Sequence, residues 1–377
     1  MFRVSLVALT AAVVPLAACT ANQAAGGSIP VVSTDSECRV SATEAPAGNI
    51  VFSVTNEGSQ ITEFYLLGAD GLQVHGEVEN IAPGISRDLV VTVPEGQYTT
   101  ACKPGMTGDG IRSAFTVTPG AVDATAVSSD ALAKATASYV AYVKDQTEQL
   151  LTGTKEFAEA FADGDTERAK QLYAEVRLHW ERIEPVAESF GDLDPRLDLR
   201  EADLEPGQEW TGWHRAEKDL WPPDSDYPPM KPAARAALAE QLVADTQELY
   251  DRTRELELTP AQIGNGAKEL LDEVATGKVT GEEEIWSHTD LWDFQANVDG
   301  ARIAYKVLKP VVEVEDPALA EELDKRFAQL QELLDAQRVG DGFRYYDELS
   351  PAEIKELADA VNAVSEPLSR LTSVVVL

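Results

Sequence analysis

Two periodicities follow one another along the chain. Between residues 30 and 118 apolar positions recur every second residue: Ile50, Phe52 and Val54 alternate with Val51, Ser53 and Thr55, and Asn56-Glu57-Gly58 then turns the chain. Leu89, Val91 and Val93 repeat the pattern before Pro94-Glu95-Gly96, Tyr98, Thr100 and Cys102 continue it, and Phe115 with Val117 give a last strand. Successive side chains of an extended chain point to opposite faces, so a period of two predicts half-buried strands and a small all-β sandwich.

After Thr118-Pro119-Gly120 the period lengthens. Leu132, Ala135, Tyr139, Val143, Gln146 and Leu150 fall at helical spacing, and only Gln146 breaks the apolar stripe. Turns at Asp163-Gly164-Asp165, Pro222-Pro223, Pro228-Pro229, Thr259-Pro260 and Asp316-Pro317 cut the remainder into helices of ordinary length. About 250 residues of helix predict two packed bundles, so the expected class is multidomain, β followed by all-α.

The amino terminus carries a different signal. Arg3 precedes an apolar run from Val4 to Leu16, and Leu16-Ala17-Ala18-Cys19 closes it, the layout of a bacterial lipoprotein signal over residues 1–18 with Cys19 as the lipidated residue. Residues 19–29 then read as the lipidated cysteine and a flexible spacer, which places the mature chain outside the cytoplasm, anchored to the cell membrane. That compartment permits disulfides, and with Cys19 modified the remaining cysteines are Cys38 and Cys102, an even pair expected to bridge.

Charge narrows the partners. Lys and Arg total 31 against 65 Asp and Glu, a formal net charge of −34, which repels nucleic acid and anionic surfaces and attracts cations. In a chain with 4 histidines, "GWHRAEKDLW" at 212–221 sets His214 and Glu217 one turn apart. Read as one helix following Pro206-Gly207, it puts Trp210, His214, Glu217 and Trp221 on a shared face. An imidazole nitrogen and a carboxylate oxygen at that spacing can grip one cation, while two ligands are too few without partners from other helices.

Two further stretches offer such partners. Over 172–188 the wheel puts Leu172, Val176, His179, Ile183 and Val186 on one face and Glu181, Glu184 and Glu188 on the other, with Pro185 as a kink that would turn Glu184 inward. His179, on the apolar side, reads as a hydrogen-bonded core histidine. In 282–300 Glu283, His288, Asp290 and Asp293 surround the start of an aromatic-rich helix with Ser287 or Thr289 as its N-cap.

The stretches "HWERIEPVAESFGDLDPRLDLREADLEPGQEWTGWHRAEKDLW", "SHTDLWDFQANVDGA" and "YDELSPAEIKELADAVNAVSEPLSRL" resemble the helical domain of EfeO-type iron-uptake proteins. That domain is imelysin-like, is assigned to a peptidase family and has G-x-H-x-x-E as its hallmark, here Gly212-Trp213-His214-Arg215-Ala216-Glu217. The similarity runs over 128–377, and "ENIAPGISRDLVVTVPEGQYTTAC" makes residues 30–118 similar to the cupredoxin-like domain that precedes it in full-length members.

The resemblance implies an extracytoplasmic iron-binding component that holds Fe2+ or Fe3+ between helical bundles and acts with a membrane permease and a secreted haem peroxidase. The metal motif carries over to His214 and Glu217, with Glu181 and Glu184 as further oxygen ligands. A blue-copper site needs His, Cys, His and Met, yet Cys102 is followed by Lys103-Pro104-Gly105-Met106 and His75 is the one histidine of the β segment. Cys38 and Cys102 are therefore either a disulfide or two soft ligands for copper. Two other functions compete: cation-dependent binding of an acidic, alginate-like polysaccharide, and metallopeptidase activity, for which the chain lacks the H-E-x-x-H of zincins.

Overall fold

A computed structural model describes residues 27–69, 74–93, 95–105, 110–119, 129–224 and 226–376. The signal segment, Cys19 and Met106 lie outside these residues.

The β domain is a sandwich of two sheets. In the first, β1 (Ile29–Ser33), β2 (Cys38–Val40), β4 (Gly48–Asn56) and β7 (Ser86–Val93) lie in the order β2-β1-β4-β7. In the second, β3 (Glu44–Pro46), β5 (Thr62–Gly68), β6 (Val74–Ile81), β8 (Gly96–Pro104) and β9 (Ile111–Thr118) lie in the order β3-β9-β8-β5-β6. The alternating positions Ile50, Phe52, Val54, Leu89, Val91, Val93, Tyr98, Phe115 and Val117 all enter the core between the sheets, where the ring of Phe52 meets those of Phe64 and Phe115.

Cys38 and Cys102 are joined in a disulfide with their Cα atoms 5.6 Å apart. It does not join two edges: it ties edge strand β2 of one sheet to interior strand β8 of the other. With both sulfurs in this bond, neither is a thiolate for copper, and the His75 ring packs edge-on against Tyr98, so the expectation of copper in this domain is not supported.

The helical domain begins with α1 (Ser129–Asp163) and α2 (Thr166–Glu181), whose N-cap Asp165 accepts from the Arg168 amide. Next come α3 (Leu193–Asp198), α4 (Trp213–Leu220), α5 (Pro232–Arg254) and α6 (Pro260–Thr276). The chain ends with α7 (Asp290–Glu315), α8 (Pro317–Asp335), α9 (Pro351–Leu368) and α10 (Leu371–Val376), with a two-residue-per-strand hairpin, Arg338–Val339 and Gly342–Phe343, between α8 and α9. The prolines mark the starts: α5, α6, α8 and α9 carry Pro in the first turn, where no amide donor is needed, and Thr259 and Ser350 close capping boxes with Gln262 and Glu353.

Helices α1, α2 and α5 pack together, as do α6, α7, α8 and α9, and α7 also packs on α1 and α2. One continuous core, from Ala135 to Val375, therefore runs through both groups. Gln146 breaks the stripe of α1 because it serves another side chain: its Oε1 lies 2.8 Å from Nδ1 of His179 on α2. The β domain docks on α6 and α10, where Asn265 donates to the Val90 carbonyl at 2.9 Å and Asn49 to that of Val376.

A buried histidine and carboxylate centre

Helix α4 is shorter than its sequence suggests. It starts at Trp213, not after Pro206-Gly207, so Trp210 and Trp221 flank it instead of sharing its face. The cause is Gly212, which caps the helix at φ 84°, and a Cβ there would stand 2.1 Å from the Leu197 carbonyl oxygen. A side chain at this position is excluded both by backbone conformation and by contact. The close approach lays α4 against the end of α3, so Asp198, the last residue of α3, faces His214.

His214 is 1 % exposed and stands among four carboxylates. Its Nε2 lies 3.4 Å from Asp198 Oδ1 and 3.5 Å from Glu283 Oε1, while Nδ1 lies 3.5 Å from Glu217 Oε2 and 3.8 Å from Glu284 Oε1. Among the described residues neither ring nitrogen has a hydrogen-bond partner, and Glu217 Oε2 also lacks one. Buried polar atoms are normally paired, which makes these nitrogens and the carboxylates facing them a candidate donor set.

The surrounding contacts fix each oxygen. Glu217 Oε1 accepts from the amides of Trp286 (3.0 Å) and Ser287 (2.7 Å), which turns Oε2 toward the imidazole. The Ser287 hydroxyl donates to Glu284 Oε2 at 2.8 Å, the Trp180 indole to Asp198 Oδ2 at 2.8 Å and the Tyr173 hydroxyl to Glu284 Oε1 at 3.2 Å. Arg177, fully buried on α2, meets Asp198, Glu181 (2.7 Å), Glu283 (3.2 Å), Glu284 (2.6 Å) and Asp293 (3.6 Å).

Burial and Arg177 both push the His214 imidazole down, yet Asp198, Glu217 and Glu283 outweigh them and hold it up at about 9. Glu217 is held low against the push of burial by the neighbouring His214 imidazole and the Ser287 amide, and Glu283 lies well below the usual carboxylate range because of Lys278, His214 and Arg177. Burial drives Glu284 and Asp293 well above that range, with Glu217 adding to the first and Arg177 opposing both, and lifts Asp290 to about 6.

Two overlapping donor sets have atoms within 4.8 Å of one another: Asp198, His214 and Glu283, and His214, Glu217 and Glu284. Carboxylate oxygens with one imidazole form a hard set with a borderline nitrogen, which suits iron.

Of the residues expected at the site, the structure brings His214 and Glu217 together. It places Glu181 and Glu184 beside them on Lys278, whose Nζ is 3.0 Å from Glu181 Oε2 and 2.7 Å from Glu184 Oε1, and Asn297 donates to both. Glu184 is turned inward as Pro185 suggested, because α2 ends at Glu181 and a 3₁₀ turn over Glu184–Phe190 follows. Gly266 of α6 permits this, since a Cβ there would stand 1.8 Å from the Pro185 carbonyl oxygen. His288 lies at the surface, 4.0 Å from Asp347, with φ 58°, and takes no part. Thr289 is the residue that precedes α7.

Asp198, Glu284, Arg177 and Lys278 were not singled out by sequence reasoning. Glu284 belongs to the run Glu282-Glu283-Glu284, of which only Glu282 is exposed. Arg177 and Glu181 look like a surface pair at i,i+4, yet both side chains are fully buried. The available signal was the density of charge beside tryptophans in 177–210.

A two-sheet sandwich followed by a helical domain is the cupredoxin-like plus imelysin arrangement, and that class of protein is the one this chain matches. The chain belongs to the EfeO-type iron-uptake branch of the imelysin family. The family profile described as Imelysin (Peptidase_M75) matches residues 135–371, and that described as Cupredoxin-like domain matches 6–117. The chain is 37 % identical to the iron uptake system component EfeO of Escherichia coli strain K12, over 99 % of this chain and 98 % of that protein. It is equally similar to EfeO of Shigella flexneri and 36 % identical to that of Escherichia coli O157:H7, with the same coverage.

Proposed function

We propose that the protein is the extracytoplasmic iron-binding component of a ferrous-type uptake system, that it holds one iron ion at His214, and that it passes the ion to a membrane permease. The observation that carries this reading is a pair of imidazole nitrogens that face four carboxylates in a buried site and have no hydrogen-bond partner among the described residues. Glu217, Asp198, Glu283 and Glu284 supply oxygen. Glu181 and Glu184 stand one step further out, as donors that must leave Lys278 before they ligate. The names of the relatives support iron as the cargo and binding, not hydrolysis, as the role.

In this reading Cys19 carries lipid and tethers the chain beside its permease, and a secreted haem peroxidase supplies the redox partner. Among the described residues no helix is long and apolar enough to cross a membrane. Cys19→Ser should release the protein from membranes, and unchanged retention would remove the anchor.

The ligand assignment is tested by iron titration of wild type, His214→Ala and Glu217→Ala, with helicity monitored. Each variant should lose most binding while staying folded, and the double variant should lose little more, because an incomplete site has little affinity left. Wild-type affinity in both single variants would place the site elsewhere.

A further inference from the structure

The β domain and the helical domain enclose an open cavity of about 340 Å3. β6 contributes Glu77 and Glu79 to its lining, and the helical side contributes Asp194, Asp198, Glu269 and Glu283. Among the described residues that line it, Arg200 is the only lysine or arginine, and its guanidinium is already engaged by Asp203 at 2.7 Å and Glu282 at 3.1 Å.

Two of the lining residues belong to the centre. Asp198 and Glu283 are the pair that face Nε2 of His214 at 3.4 and 3.5 Å, whereas Glu217 and Glu284, which face Nδ1, do not line the cavity. His214 itself is 1 % exposed, and its Nε2 makes no hydrogen bond among the described residues. The floor of the cavity is thus one side of the buried donor set.

We infer that the cleft between the two domains is the entrance of the centre: a hydrated di- or trivalent cation enters between β6 and the helices and reaches His214 on its Nε2 side, between Asp198 and Glu283. The inference rests on the proposed role of His214 as a ligand. A cleft lined by one sign of charge concentrates the opposite ion and speeds capture by a factor of about 10 to 1,000. The β domain then acts in iron capture by supplying Glu77 and Glu79 to the wall of the cleft. An anionic chelate of iron meets repulsion at the same wall.

The test is the association rate of Fe2+ alone, under nitrogen, followed by quenching of tryptophan fluorescence, since Trp213 adjoins His214. The full chain is compared with Glu79→Lys on the β side, Glu269→Lys on the helical side, and the milder Glu79→Gln and Glu269→Gln, each checked for helicity and thermal unfolding. Each Lys variant should capture iron about tenfold more slowly at low salt, the Gln variants less so, and the deficit should shrink at about 1 M salt, where the screening length is about 3 Å. Saturation should reach the wild-type stoichiometry. Wild-type rates in all four folded variants, with binding lost in His214→Ala, would overturn the entrance and leave the centre standing. Retained binding in His214→Ala would overturn both.

Discussion

Arg177 and His214 hold the same three carboxylates. Asp198, Glu283 and Glu284 each lie within salt-bridge distance of the guanidinium on one side and of the imidazole on the other. One cation is permanent and the other can lose its proton, so the cluster stays partly neutralised when an iron ion displaces the imidazole proton.

Removing the permanent charge should therefore harm the metal-free protein most. Arg177→Met leaves buried carboxylates uncompensated, and breaking such a pair costs about 3–5 kcal/mol. Chemical unfolding should show a loss of that size without iron and a smaller one at saturating iron. Equal losses in both states would mean that Arg177 and the ion do not share a charge balance.

Gly212 gives a sharper separation of geometry from chemistry. Gly212→Ala keeps every donor atom but places a Cβ against the Leu197 carbonyl at a φ of 84°, a strain on the order of 1–3 kcal/mol. The helix carrying His214 must shift away from Asp198. Titration should show iron affinity reduced by about tenfold or more, although no ligand is missing; unchanged affinity would show that α4 tolerates the displacement.

The raised imidazole sets the sign of the pH response. His214 is held at about 9, so near neutral pH the metal-free site is protonated and ligation must release that proton. Iron affinity should climb as pH rises toward about 9. In the metal-free protein the charged imidazole stabilises the fold below its ordinary value of 6.5, and this contribution is lost as pH rises through about 9. Calorimetry in buffers of different ionisation enthalpy counts the released proton; no buffer dependence would contradict the assignment.

His179 responds in the opposite sense. Burial, reinforced by Arg182 and opposed by Asp145, pushes it down to about 4. The unfolded chain takes up this proton near 6.5 while the fold resists it, so its contribution is present above 6.5 and is lost as pH falls toward 4. His179→Gln should flatten the acid limb of stability across that interval and leave iron stoichiometry unchanged. An identical acid limb would show that the imidazole already bears its proton in the fold.

Strands β4, β7, β8 and β9 and several helix starts were legible because they rest on local rules: alternation put Phe52 and Val91 inside, and Thr259-Pro260 and Asp316-Pro317 marked caps. Half of the centre was legible for the same reason, since His214 and Glu217 share one helical turn. Asp198, Glu283 and Glu284 reach the imidazole from elsewhere in the chain through the approach of Leu197 to Gly212 and the amides that orient Glu217. Such contacts have no sequence period. Glu181 fell on the wheel face opposite the apolar one, and a helical wheel carries no record of α7, whose Asn297 donates to it.

The disulfide between Cys38 and Cys102 has a consequence for how the chain matures. All cysteine after residue 19 lies in the β domain, so the helical domain has no covalent step in its assembly. Under reducing conditions the chain can complete its helices while its two sheets lack their cross-link. Oxidation of this one pair thus finishes the part of the protein that supplies Glu77 and Glu79 to the cleft, and leaves the helical part untouched.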